Sequence, residues 1–251
     1  MKERKSSILH ILYFASVIAA WDIFVQITNT PSWILPSPTM VFAALWKHKI
    51  VLFHHTPVTV FEALSGLFIA IIVACLVAVS IYQSMIVKKI LYPAILASQS
   101  IPYIAIAPLF SLWFGFGFTP KIIIVTIVCF FPIVVSVIDG FAQVDEKIVQ
   151  STRMLGASSM QIFTNVYIPS TVPSFFSGAR IGVSYALISA TVAEWTGASD
   201  GLGVYIVRSS KSFQTDQVFA CVFLISALSI LFVHLVDKLY KHFVPWKFIT
   251  N

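Results

Sequence analysis

The sequence predicts an all-α membrane protein with six transmembrane helices and both termini in the cytoplasm. Composition is the first reason. Of 251 residues, 58% are hydrophobic and 10% charged, where a soluble domain carries about a quarter charged residues. Mean hydropathy is +0.91. The second reason is pattern: the apolar runs are long and do not alternate, whereas a barrel strand must alternate a lipid face with a lumen face. The third is the placement of basic residues, which sort to one side of the predicted spans. The whole chain, 1–251, reads as one transmembrane domain.

Lys2, Arg4 and Lys5 precede an apolar run over residues 8–27, about 20 residues and so long enough to cross a bilayer. A basic start before an apolar run also fits a cleaved signal peptide. The run is long for one and no small-x-small site follows it, so it reads as an uncleaved first span. Asp22 lies near its outer end, where a carboxylate can reach water. Residues 28–59 form an outer loop containing Pro31, Pro36 and Pro38. Ser37-Pro38 can open a short interfacial helix carrying Met40, Val41, Leu45 and Trp46, because Pro is tolerated at the first helical position and Trp favours the interface.

Span two covers 60–85, and Lys88 and Lys89 follow it. Span three, 91–114, is interrupted by Pro93, Pro102 and Pro108. Either these are packing kinks, or the broken backbone lines the pathway, since a membrane tolerates such backbone only against protein or water. The turn at 115–120 leads into span four, 121–141, with Asp139 at its inner end. Span five covers 173–193. The loop 194–216 contains Asp200-Gly201-Leu202-Gly203, a turn signal. Span six covers 217–235, and Lys238, Lys241, His242 and Lys247 close the chain.

With the N-terminus inside, the inner side holds Lys2, Arg4, Lys5, Lys88, Lys89, Lys147, Arg153, Arg180, Lys238, Lys241 and Lys247. The outer side holds Lys47, Lys49, Lys121, Arg208 and Lys211. That is 11 against 5 of the 16 basic residues, in agreement with the positive-inside rule. The net charge of +6 is therefore topological, and no nucleic-acid partner is expected. Cys75, Cys129 and Cys221 sit in apolar runs without metal-ligand spacing and read as small core residues.

Residues 145–169, DEKIVQSTRMLGASSMQIFTNVYIP, form the longest polar island between apolar runs. Asp145 can cap a helix, because its carboxylate accepts orphan backbone N–H groups. That helix would run to Leu155 and stop at Gly156, which can take the left-handed conformation. Ser158 or Ser159 can cap a second short helix, closed by Pro169. Ile148, Met154, Leu155, Ile162, Phe163 and Val166 keep the pair apolar on part of its surface. A helix–Gly turn–helix of this kind suits docking into a groove on another protein. An ordinary loop packed on its own bundle reads equally well from the spacing.

Span five repeats small residues every four positions, Gly178, Gly182, Ala186 and Ala190, with Glu194 extending the row. Small residues at this spacing let helix backbones approach closely, either within one subunit or as a two-fold seam around a path. Packing within one subunit is the preferred reading. Arg180 and Asp139 both fall near the inner face and could pair, since a lone charge at membrane depth is costly. Glu194, Asp22 and Glu62 fall near the outer face, and no charged group is expected in the middle of a span. That absence argues for an external energy source, because ion-coupled carriers use such groups. No phosphate-binding glycine loop is present. His54-His55 is a weak metal signal and no metal site is assigned.

Residues 150–169 resemble the cytoplasmic loop motif of ABC-importer permeases, E-A-A-x3-G-x9-I-x-L-P. Here it reads Gln150, Ser151, Thr152, then Gly156, then Val166, Ile168 and Pro169. Gly and Pro fall at the family spacing, both aliphatic letters are conservative swaps, and the first three letters depart. LPSPTMVFAAL at 35–45, SIPYIAIAPLFSLWFGFG at 100–117, AEWTGASDGLG at 193–203 and the terminal LYKHFVPW are similar to permeases of the nitrate, sulfonate, taurine and thiamine-precursor (pyrimidine) import group. GLGVYIVRSSKSFQTD at 201–216 is more similar to the pyrimidine members.

The resemblance implies a type I ABC importer permease fold and an importer subunit that is not itself an enzyme. Its coupling loop, about 142–172, would dock on a cytoplasmic ATP-binding subunit through Arg153, Leu155, Gly156, Met160, Phe163 and Pro169. ATP would be bound by that partner, and this chain would hold no cofactor. A second permease copy would complete the path, which would involve Pro102, Pro108, Ser184, Ser189 and Glu194. An extracytoplasmic substrate-binding protein would deliver a small polar organic solute or anion. The alternatives are a stand-alone secondary transporter or channel, for which no internal repeat is found, and a membrane enzyme or scaffold, for which no convergent polar site is visible.

Overall fold

The computed structural model describes residues 2–245, with side chains from Leu12 onward. The side chains of Lys2, Arg4, Lys5 and His10, and all of Trp246 and Lys247, lie outside the described residues. Among the described residues every regular element is helical. The elements are α1 (Lys2–Thr28), α2 (Pro38–Lys47), α3 (Lys49–Gln83), α4 (Met85–Ser98), α5 (Tyr103–Phe114) and α6 (Phe118–Ala142). They continue as α7 (Glu146–Met154), α8 (Ser159–Ile162), a π-helical turn (Phe163–Tyr167), α9 (Ile168–Glu194), α10 (Leu202–Lys211) and α11 (Thr215–Phe243).

The core is the α3–α6–α9 layer, with α11 and α5 packed on its flanks. Small residues set its spacing. On α9 the predicted row is buried against α6 and α3: a Cβ at Gly178 would lie 2.7 Å from the Pro132 carbonyl oxygen, and one at Gly182 would meet Ile133. Ala186 and Ala190 are likewise buried, so the row serves packing within the subunit. A second row, Gly66, Ala70, Ala74 and Ala78 on α3, does the same work and is equally buried. A Cβ at Gly66 would sit 2.5 Å from the Val125 Cβ. Backbones this close are what association without a hydrophobic driving force requires.

Among the described residues four helical stretches are long and apolar enough to cross a membrane: Lys49–Gln83, Phe118–Ala142, Ser159–Glu194 and Thr215–Phe243. A fifth candidate is the pair α4 and α5, bent by 99° at a break between them. The bent pair joins opposite ends of the bundle. Met85 and Lys88 sit beside Ala142 and Tyr167, while the Ser111 hydroxyl meets that of Thr196, just past α9 at the other end, at 3.0 Å. The apolar stretch of α1 with described side chains is Leu12–Thr28. It touches the bundle through Trp21, whose ring lies 5.7 Å from that of Phe219.

Several elements extend beyond their predicted limits. The expected short helix forms as α2, with the Ser37 side chain accepting from the Met40 amide. The next helix begins at Lys49, not near residue 60, and runs through Pro57. Pro93, Pro108, Pro132 and Pro173 likewise lie inside helices, and only Pro102 marks a break, as the N-cap of α5. A buried bundle can re-satisfy the carbonyl that a proline frees, so a proline pattern alone overestimates breaks.

Candidate functional site

The bundle carries a different structure at each end. At the end where α6 finishes and α9 begins, residues 145–169 form a bent projection. The Asp145 carboxylate accepts from the Lys147 amide at 2.8 Å and caps α7. Gly156 ends α7 at φ +87, and the amides of Gly156 and Ala157 return to the carbonyls of Arg153 and Thr152, a Schellman closure. Ser158 then opens α8 with a reciprocal capping box: its amide donates to Gln161 Oε1 at 2.8 Å, and the Gln161 amide donates to Ser158 Oγ at 3.3 Å. Nothing in α7 is buried, so these local bonds hold its shape.

The second helix does not end at Pro169, as the sequence predicts. It passes through the π-turn directly into α9, and Pro169 stands in the first turn of that helix. A proline is tolerated there because the π-turn before it shifts the backbone ladder, with the Ile168 amide bonding the Phe163 carbonyl, so the regular bond that a proline would break is already displaced. Residues 159–194 thus form one continuous helical rod, and the projection is rigidly joined to the core.

The predicted docking residues divide into two sets. Leu155 is 88% exposed and Met160 68%, and Arg153 and Gly156 are also exposed; Met154, outside the predicted set, is 81% exposed beside them. Phe163 instead turns inward. Its ring stacks on Tyr82 at 5.3 Å and approaches Phe141 at 6.1 Å, while Tyr167 lies 4.6 Å from Tyr82. This aromatic cluster anchors the projection to α3 and α6.

At the opposite end four elements converge on buried polar groups. The Glu194 carboxylate accepts from Thr59 Oγ1 at 2.6 Å and from the Gly203 amide. The same Thr59 oxygen accepts from the Leu202 amide at 2.8 Å. The Gly201 amide donates to His55 Nδ1 at 3.1 Å. Beside them Lys121 Nζ lies 3.0 Å from Glu62 Oε1, with Glu62 fully buried and Lys121 nearly so. Glycines are required in this turn. Gly201 holds φ +123 against the Glu194 carboxyl, and a Cβ at Gly203 would come within 2.0 Å of the Thr191 carbonyl oxygen. On α10, the Tyr205 hydroxyl donates to Gln217 at 2.9 Å, and burial raises its pKa.

The pathway residues are widely separated in environment. Pro102 and Pro108 are exposed on the bent pair. Ser184 is half-buried and bonds the Arg180 carbonyl, whereas Ser189 is buried and bonds the Tyr185 carbonyl. Glu194 is 1% exposed. Arg180 does not pair with Asp139. It donates to Asp237 on α11, through Nε at 2.7 Å and through a terminal nitrogen, because α11 extends as a helix past the predicted end of span six. Asp139 faces a separate polar pocket with Gln143, Ser174 and Ser177. Two ion pairs therefore join four of the long helices, Glu62–Lys121 between α3 and α6 and Arg180–Asp237 between α9 and α11.

His54, His55 and Asp200 bring ligand atoms within 4.8 Å of one another. The set does not fit a metal. The lone pair of His55 Nδ1 already accepts from the Gly201 amide, and this is the nitrogen that lies 3.9 Å from Asp200. The cluster is a tie between α3 and the turn before α10.

Residues 66–248 match the model of the family described as "Binding-protein-dependent transport system inner membrane component". The chain is 34% identical to the formylaminopyrimidine transport permease protein ThiX of Halalkalibacterium halodurans, over 98% of this chain and 99% of that one. It is 26% identical to a putative aliphatic sulfonates transport permease protein of Bacillus subtilis, covering 93% and 85%, and 28% identical to the taurine transport system permease protein of Escherichia coli, covering 81% and 72%. In fold it is similar to a chain of the MetNI methionine ABC transporter, with a TM-score of 0.63 at 19% identity over 79% of this chain and 97% of that one. It is also similar to a chain of an amino acid ABC transporter, with a TM-score of 0.64 at 16% identity over 81% and 97%.

Proposed function

Because the chain belongs to the family of binding-protein-dependent transport system inner membrane components, and is a multi-pass permease subunit, we propose that it couples solute import to ATP hydrolysis by a separate cytoplasmic subunit through residues 145–169. The observation that carries this reading is the exposure of Met154, Leu155 and Met160 on a segment whose shape is set by its own caps. An exposed apolar stripe on a rigid helical projection suits insertion into a groove. The anchored residues Phe163 and Tyr167 would pass a displacement of the projection into α3, α6 and α9.

The six spans would be α1, α3, the bent pair, α6, α9 and α11. Lys88, Lys147 and Arg153 lie at the projection end, and Arg208 and Lys211 at the other, an arrangement that supports the cytoplasmic placement of the projection. A second copy would complete the path, a binding protein would deliver solute at the Glu194 end, and this chain would hydrolyse nothing. Solute class follows the relatives: a pyrimidine related to thiamine precursors, by the 34% relative, or a sulfonate. Switching between inward- and outward-open states would need an element with two arrangements, and the 99° bent pair is the one we assign.

The test is Leu155→Asp. The side chain is 88% exposed, so thermal stability should change by no more than about 0.5 kcal/mol. Retention of the ATP-binding subunit on purification should fall by about 30-fold, as for an interface hot spot. Unchanged co-purification, or uptake that persists without nucleotide, would remove the coupling role and favour a stand-alone carrier.

A further inference from the structure

We propose that the projection end of the bundle carries a binding site for an anionic phospholipid, seated against the aromatic cluster that anchors residues 145–169. Two pockets meet at Phe141. The first, of about 260 Å³, is lined by Tyr82, Met85, Lys88 and Tyr167 among others. The second, of about 250 Å³, is bounded by apolar side chains including Val79, Phe163, Val172 and Phe175. One offers a cation and two phenol groups, and the other offers hydrocarbon.

Lys88 is the chemical key to the first pocket. Among the described residues it has no ion-pair partner, and Lys89 stands next to it in sequence. Ser84 breaks the chain between α3 and α4 and caps α4 through the Val87 amide, which places Met85 and Lys88 on the pocket wall one turn beyond Tyr82. An unpaired ammonium beside two tyrosines, at the end of a bundle of apolar helices, is complementary to a phosphate diester at the membrane surface. The adjoining apolar groove selects a lipid over a free anion, because a soluble phosphate has nothing to place there, whereas an acyl chain does. Tyr82 and Tyr167 line the first pocket, Phe163 lines the second and Phe141 lines both, and these four rings hold the root of the projection. A lipid seated here therefore contacts the joint itself.

The experiment uses the full-length protein purified from membranes in mild detergent, with added phosphatidylglycerol, phosphatidylcholine or glycerol 3-phosphate. Native mass spectrometry reports retained lipid and a thermal scan reports stabilisation. Phosphatidylglycerol should be retained and should raise the midpoint, and the other two should not. Lys88→Gln should weaken phosphatidylglycerol binding about fivefold, the effect of one basic residue at an anionic surface, while Lys88→Arg keeps it. Val79→Trp, which fills the apolar pocket, should remove retention even with Lys88 in place. Equal retention by Lys88→Gln and the unaltered protein would overturn the proposal. So would equal stabilisation by phosphatidylcholine, stabilisation by glycerol 3-phosphate alone, or a mass showing a protein subunit instead of lipid in the site.

Discussion

At one end of the bundle, residues 145–169 stand outside the core on their own caps. At the other, α3, α6, α9 and the turn before α10 are tied by side chains that barely reach solvent. The projection spends its polar side chains on its own backbone: Asp145, Ser158 and Gln161 all bond within three residues of themselves. The buried network spans the sequence instead, joining Thr59 to Glu194, His55 to Gly201 and Glu62 to Lys121. The contrast separates two jobs. The projection keeps its shape with local bonds and little core of its own. The opposite end places its stability in contacts that barely reach solvent.

The buried end is where substitution should cost most. Glu62→Leu would leave the Lys121 ammonium buried without its carboxylate, which costs about 3–5 kcal/mol. The measurement is the midpoint of a thermal scan in detergent. A second substitution, Lys121→Met, should restore most of the loss, because a matched apolar pair is often no worse than a buried ion pair. Failure of the double variant to recover would mean that the pair positions other groups as well as neutralising itself. Gly203→Ala comes next. Its Cβ would collide with the Thr191 carbonyl oxygen, so α10 must shift off Glu194, with a loss of about 1–3 kcal/mol. If Gly203→Ala is as stable as the unaltered protein, the Glu194–Gly203 clamp is looser than its geometry.

The same contrast explains what could be read from the sequence. The projection was legible because caps and a terminating glycine act over three or four residues: Asp145, Gly156 and the choice of Ser158 or Ser159 all follow from local rules. Its exit was misjudged, since Pro169 reads as a stop until the π-turn carries the helix through to α9, and so was the outward placement of Phe163, whose ring packs on Tyr82 and Phe141. The spacing of Gly178, Gly182, Ala186 and Ala190 also gave the close packing of span five. The buried network was not legible, because its partners lie far apart in sequence, 135 positions for Thr59–Glu194 and 146 for His55–Gly201. Glu62 and Lys121 looked like separate residues near helix ends, and Asp237 fell beyond the predicted limit of its span. The motif at 193–203 could have pointed to the clamp. Two glycines seven and nine residues after a glutamate are needed only where backbone must approach that carboxylate.

The smallest effect belongs to the projection and tests whether its shape is local. Ser158→Ala removes one acceptor from the first turn of α8, which should cost about 1 kcal/mol. Because α7 has no buried residue and α8 buries only Ile162, that loss should not spread. Hydrogen exchange should quicken about fivefold at the Gln161 amide, which loses its Ser158 acceptor, as expected for about 1 kcal/mol of local opening. Amides in α3 and at the Glu194 clamp should not change. Exchange that rises at both ends together would mean that the rod from Ser159 to Glu194 carries the disturbance through the core, and that the two ends are one cooperative unit.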